Sequence, residues 1–112
     1  IADGVILSLT GISGRDFESY SHKEVCVPIE LVNKDFPPTF MVYSKNDAFC
    51  KGQGEIMQRK LEEVGAYCEY YVSRHGMSNH CFSLTWKGED ATAANELMIS
   101  FAKRLSNDKI KL

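Results

Sequence analysis

Three short apolar runs alternate with longer mixed segments along the chain. The runs cover residues 5–9, 38–47 and 67–72. Short apolar runs bounded by turn-forming residues predict strands that are buried on at least one face. In the third run one face carries Tyr67, Glu69 and Tyr71 and the other carries Cys68, Tyr70 and Val72, which predicts a less buried strand.

Two further segments show the periodicity of amphipathic helices. Apolar positions recur at three-to-four spacing from Gln53 to Val64, and Gly65 follows as a C-terminal cap. The predicted inward side of this helix is Ile56, Met57, Lys60, Leu61 and Val64. Near the end of the chain, Glu89 and Asp90 precede a second stripe, in the positively polarised first turn of a helix of about four turns. That stripe is Ala94, Leu97, Met98, Phe101 and Leu105.

The order of these elements predicts an α/β fold with three parallel strands and flanking helices. Residues 10–38 hold several glycines and prolines, so we expect a connecting excursion there, with a helical turn or two around Pro28. The first helix is a crossover that returns the chain to start the next strand in the same direction. The carboxyl ends of the strands therefore share one edge of the sheet.

Composition and charge exclude two classes of partner. The chain is 44% hydrophobic and 25% charged, with a formal net charge of -2, so it has no basic footprint for nucleic acid. No apolar run approaches the roughly 20 residues of a bilayer-spanning helix, and no membrane span is predicted.

The cysteines and histidines show no diagnostic metal-site spacing. Cys26, Cys50, Cys68 and Cys81 form no CxxC pair, and Cys68 falls in a predicted strand as a buried free thiol. We therefore expect a reducing compartment and a cytoplasmic location. A set of Asp47, Cys50, His75, His80 and Cys81 has no recognisable ligand spacing, so no metal is predicted.

An acid and a histidine follow two of the predicted strands. Asp47 ends the run 38–47, and His80 lies in the glycine-containing loop after the run 67–72. In open parallel sheets reactive groups gather beyond the carboxyl ends of the strands, where these two would serve as the orienting acid and general base of a nucleophilic triad. Each has an alternative: Asp47 as an ordinary turn residue, and His80 as a surface histidine with His75 as the base.

Three pieces of sequence carry a resemblance to a known family. They are Gly4-Val5-Ile6-Leu7-Ser8-Leu9, the run from Pro38 to Asp47, and His80-Cys81-Phe82. From Gly4 to about Leu105 the chain resembles the C-terminal half of an α/β-hydrolase of the esterase and lipase type. The resemblance implies that residues 1–112 are the C-terminal portion of such a domain, with a partial α/β-hydrolase fold. It further implies Asp47 as triad acid, His80 as general base, a small-molecule carboxylic ester as substrate, and no cofactor or metal.

The family's nucleophile motif, G-x-S-x-G, does not occur in these residues. Around Ser13 the chain places Arg15 where the motif needs its second glycine, and Ser13 is too close in sequence to Asp47. Cys50 follows the acid on the same turn and is poorly placed as a nucleophile. We therefore expect a fragment that lacks the nucleophile-bearing half of the domain and is inactive by itself.

The predicted sheet also suggests partners. A three-stranded parallel sheet leaves an apolar edge and uncovered faces, so we expect either the missing N-terminal half or self-association at that edge. The alternative function is a non-catalytic α/β interaction module derived from a hydrolase fold. A doubly wound binding domain is a further alternative, but Gly52-x-Gly54 is too short to cradle a phosphate.

Overall fold

A computed structural model describes Gly11 and residues 13–22, 27–73 and 80–107. The chain divides into two compact units, residues 1–31 and 32–112. In the first unit the described residues form two short 3₁₀ helices, Phe17–Ser19 and Pro28–Leu31. They agree with the predicted excursion, and the second is the expected turn around Pro28.

The second unit contains a two-stranded parallel sheet with two helices. Strand β1 spans Thr39–Tyr43, helix α1 Gln53–Val64, strand β2 Cys68–Val72 and helix α2 Glu89–Ser106. The strands pair in parallel from Thr39 opposite Cys68 to Tyr43 opposite Val72, with α1 as the crossover. The α/β class and parallel pairing are therefore as predicted, whereas the first predicted strand, residues 5–9, lies outside the described residues.

Helix α1 has the bounds predicted from its periodicity and cap. Gly65 ends it with φ of 73°, a left-handed conformation that glycine adopts without steric cost. Leu61 is fully buried and clusters with Val32 and Ala66. The prediction that Ile56 faces inward was wrong, since 53% of Ile56 is exposed. Successive helical residues differ by about 100° around the axis. Ile56, five residues before the buried Leu61, therefore lies on a different side of the helix.

The side chains through which helix α2 packs on the core are smaller than the sequence pattern predicted. Its buried residues are Ala91, Ala94, Asn95 and Phe101. Leu97 and Met98, predicted to face inward, are 43% and 40% exposed. The alanines let the helix approach the buried Phe82 closely, so its first half contacts the core without large side chains. Neither this helix nor any other in the described ranges is long and apolar enough to cross a membrane.

Polar contacts fix α2 along β2. The two terminal nitrogens of Arg104 donate to the two carboxylate oxygens of Glu69, each at 2.7 Å. At the other end, Asp90 accepts hydrogen bonds from the Tyr71 hydroxyl at 2.6 Å and the Ser73 hydroxyl at 3.0 Å. Both ends of the strand are therefore tied to the same helix.

Candidate active site

Asp47 lies in the turn that follows β1. Its Oδ1 accepts hydrogen bonds from the backbone N–H groups of Phe49, at 2.7 Å, and Cys50, at 2.8 Å. This is the aspartate turn in which a side chain replaces a backbone acceptor. Only 8% of Asp47 is exposed. The turn therefore holds one carboxylate oxygen and leaves Oδ2 for another partner.

That partner is His80. The His80 Nδ1 atom lies 2.8 Å from Asp47 Oδ2. The imidazole side chain is 44% exposed, whereas the Asp47 side chain is 10% exposed. The Phe49 ring meets the imidazole at a centroid distance of 5.0 Å and an interplanar angle of 66°. The structure therefore brings the predicted acid and base together, and their catalytic roles stay predictions. His75, the competing histidine, lies outside the described residues.

The environment of Asp47 favours its ionised form. Burial by itself would raise the pKa of Asp47, but hydrogen bonds from the Cys50 backbone, the His80 side chain and the Phe49 backbone lower it below its ordinary value. An ionised carboxylate only accepts hydrogen bonds, so the contact assigns a proton to His80 Nδ1. In the neutral ring Nε2 is then an acceptor, which is the tautomer that a general base requires.

The segment that carries His80 is fixed by α2. Next to His80, the 3₁₀ helix Phe82–Thr85 begins after Cys81, which has φ of 55°. A positive φ costs energy for a residue with a side chain, so the surrounding packing imposes this turn. The buried Phe82 packs on Ala91 and Ala94 and supplies that constraint.

Asn95 adds a polar anchor that the sequence analysis missed. Its Nδ2 donates to the Ser83 carbonyl at 2.9 Å, and only 3% of Asn95 is exposed. The sequence signal was an asparagine four residues after Ala91 on an otherwise apolar helix face. Asp90 was likewise expected only as a first-turn acid, but it also binds the end of β2.

An open cavity of about 360 Å³ adjoins the Asp47–His80 pair. Val42, Phe82 and Leu84 are among its apolar lining residues. Cys50 and Cys81 also line it, and both are exposed free thiols. An apolar wall beside a few convergent polar groups is the usual composition of a small-molecule site.

The cysteines and serine considered as nucleophiles have different surroundings. One ligand atom from each of Asp47, Cys50 and His80 lies within 4.8 Å of the other two, so Cys50 is closer to the pair than its position on the turn suggested. In the first unit, the Ser13 hydroxyl donates to Asp16 Oδ2 at 2.9 Å, a local turn contact.

Comparison with protein-family models, curated proteins and solved structures gives no match for this chain. The similarity to α/β-hydrolases stays a prediction from the three sequence pieces given above.

Proposed function

We propose that this chain supplies the acid and general base of a serine hydrolase that acts on carboxylic esters. One observation carries the proposal: Asp47 Oδ2 lies 2.8 Å from His80 Nδ1 beside an open cavity. The Asp47 turn is buried and hydrogen-bonded, whereas the ring is partly exposed. A fixed acid that orients an accessible imidazole is the arrangement that nucleophilic hydrolysis uses.

The proposed reaction uses the free nitrogen of His80. Nε2 accepts the proton of a serine hydroxyl from outside the described residues as the serine oxygen bonds to the ester carbonyl carbon. The imidazolium is stabilised by Asp47 and returns the proton to the departing alcohol as the ester C–O bond breaks. Water then attacks the acyl-enzyme, again with His80 as base, releasing the acid and restoring the serine.

The cavity favours a substrate with an apolar group. Its described lining includes Val42, Phe82 and Leu84, next to the polar pair. The apolar lining binds an acyl or alcohol portion of the ester by removing it from water. The reacting carbonyl then lies next to the Asp47–His80 pair. Esters of apolar acids or alcohols therefore suit this site better than strongly charged esters.

Substitution of the pair tests the proposal. In the natural protein that contains this chain, we expect His80→Ala and Asp47→Asn each to reduce kcat/KM for p-nitrophenyl esters by about 10³-fold or more. His22→Ala is the matched control, because His22 is an exposed histidine beside Tyr20 in the first unit. Full activity in His80→Ala would remove this histidine from the mechanism. The 112-residue chain alone is expected to be inactive, because it lacks a nucleophile elbow.

A non-catalytic interaction module is the second candidate. Leu84, which lines the cavity, is 75% exposed, and Phe49, which contacts His80, is 60% exposed. Trp86, two residues after Leu84 in the chain, is 63% exposed. Such residues also suit a protein-binding surface. Failure of the natural protein both to hydrolyse esters and to react with a fluorophosphonate serine probe would favour this function over hydrolysis.

A further inference from the structure

We propose that Asp47, Cys50 and His80 form a binding site for Zn²⁺ that blocks the imidazole. Each residue offers one ligand atom, and the three atoms lie within 4.8 Å of one another. Carboxylate oxygen, thiolate sulfur and imidazole nitrogen are the donors that zinc takes in proteins. These three residues belong to the larger set for which no metal was predicted, because their spacing along the chain is not diagnostic and one ligand comes from a different segment than the other two.

Small movements bring these atoms to zinc geometry. Zinc binds sulfur at about 2.3 Å and nitrogen or oxygen at about 2.0–2.2 Å, so tetrahedral ligand atoms lie roughly 3.5 Å apart. The Cys50 sulfur lies no more than 4.8 Å from the other two ligand atoms, so it has to approach them by at most about 1.3 Å. The Asp47 Oδ2–His80 Nδ1 contact of 2.8 Å is shorter than zinc geometry, so binding through Nδ1 replaces this hydrogen bond and moves the two atoms apart by roughly 0.7 Å. Asp47 stays fixed through its Oδ1 bonds to two backbone N–H groups, while Oδ2 is oriented outward to His80. Cys50 is exposed and His80 is partly exposed, so these two side chains supply the adjustment.

Protons balance in this binding step. The Cys50 thiol loses its proton to solvent as the sulfur–zinc bond forms. The neutral His80 ring keeps one proton, on whichever nitrogen does not bind the metal. No ring nitrogen is then left to accept a proton from a nucleophile. Zinc binding rests on the cluster geometry alone, whereas inhibition by zinc rests on the proposed hydrolase function.

Direct binding measurements on the natural protein that contains this chain test the site. With added Zn²⁺ we expect one site by calorimetry, with proton release, and with added Co²⁺ a thiolate-to-cobalt charge-transfer absorption. Cys50→Ser should abolish that absorption and weaken zinc binding at least about tenfold. Cys81→Ser is the matched control, since Cys81 is an exposed thiol of the same cavity outside the cluster, and it should retain both signals.

A second measurement does not depend on any substitution. Zinc titration of the unaltered protein should shift the NMR resonances of the His80 ring. Absence of zinc binding would overturn the site, and so would unchanged His80 resonances. The site would also be overturned if Cys50→Ser bound zinc as tightly as the unaltered protein, or if Cys81→Ser lost as much zinc affinity as Cys50→Ser.

An activity measurement separates this inference from the proposed function. In the natural protein, zinc should inhibit ester hydrolysis. Cys50→Ser should raise the zinc concentration needed for half-maximal inhibition at least about tenfold. Activation by zinc would overturn the inhibitory assignment. Zinc binding by a protein without esterase activity would leave the site standing and reject the hydrolase.

Discussion

Asp47 is held as a carboxylate by hydrogen bonds that outweigh its burial. Its pKa is lower in the folded protein than in the unfolded chain, despite the opposing effect of desolvation. A carboxyl group with a lowered folded pKa stabilises the fold at pH values above its unfolded pKa, and this stabilisation is lost as pH falls through the folded pKa. The fold should therefore weaken as pH falls below about 4, the ordinary range for aspartate.

Asp47→Asn tests this dependence. The amide keeps an oxygen for the Phe49 and Cys50 N–H groups but carries no charge for His80. Denaturant unfolding between neutral pH and about pH 3 should show a smaller loss of unfolding free energy in this variant than in the natural chain. Asp35→Asn is the control, because Asp35 is an exposed aspartate paired with Lys34. Identical pH profiles for the natural chain and Asp47→Asn would contradict the assignment.

At the scale of elements, α1 and β1 meet where a glycine is required for space. A Cβ atom added at Gly54 would lie 2.3 Å from Cγ of Tyr43. The ring is also held at its far end, where the Tyr43 hydroxyl donates to Gln58 Oε1 at 2.6 Å. The tyrosine therefore cannot swing away without losing a hydrogen bond to the same helix.

Gly54→Ala should consequently destabilise the protein despite the better helix propensity of alanine. Gly54 is the second residue of α1, so alanine gains less there than the about 1 kcal/mol of a helix interior, whereas overpacking costs about 1–3 kcal/mol. Because the overlap is with the base of a ring, we expect a net loss of roughly 1 kcal/mol in denaturant unfolding. The same change in a Tyr43→Ala background should be neutral or stabilising. A stabilising Gly54→Ala in the natural background would show that the ring moves freely.

The two helices show what sequence periodicity captures and what it does not. The bounds of α1 followed from local signals, its apolar spacing and the left-handed Gly65. The buried face of α2 did not, because Ala91 and Asn95 are buried by contact with residues 82–85, a partner that helical spacing does not reveal. Asp47 and His80 could be placed together from the shared edge of parallel strands. Cys50 and Asn95 depend on side-chain directions that only the folded chain defines.

At the scale of the whole molecule, the candidate site joins distant parts of the second unit. Asp47 is fixed by the turn after β1, and His80 precedes a 3₁₀ helix that packs on α2. The predicted partnership, with an N-terminal half or a second copy at the sheet edge, stays a prediction. The segment that follows His80 packs on α2 through Phe82 and Asn95, although α2 contributes no atom to the pair.

Asn95→Ala should therefore disturb the pair from a distance. Loss of the amide leaves the Ser83 carbonyl without this donor, at a cost of about 1–3 kcal/mol that exceeds the modest helix gain of alanine. The looser 3₁₀ helix should reduce the time that His80 spends on Asp47, so the downfield NMR resonance of the Nδ1 proton should weaken or broaden. Glu96→Ala, at the adjacent exposed position, should preserve the resonance. If Asn95→Ala lowers stability while the Nδ1 resonance stays unchanged, Asn95 supports the fold without positioning the histidine.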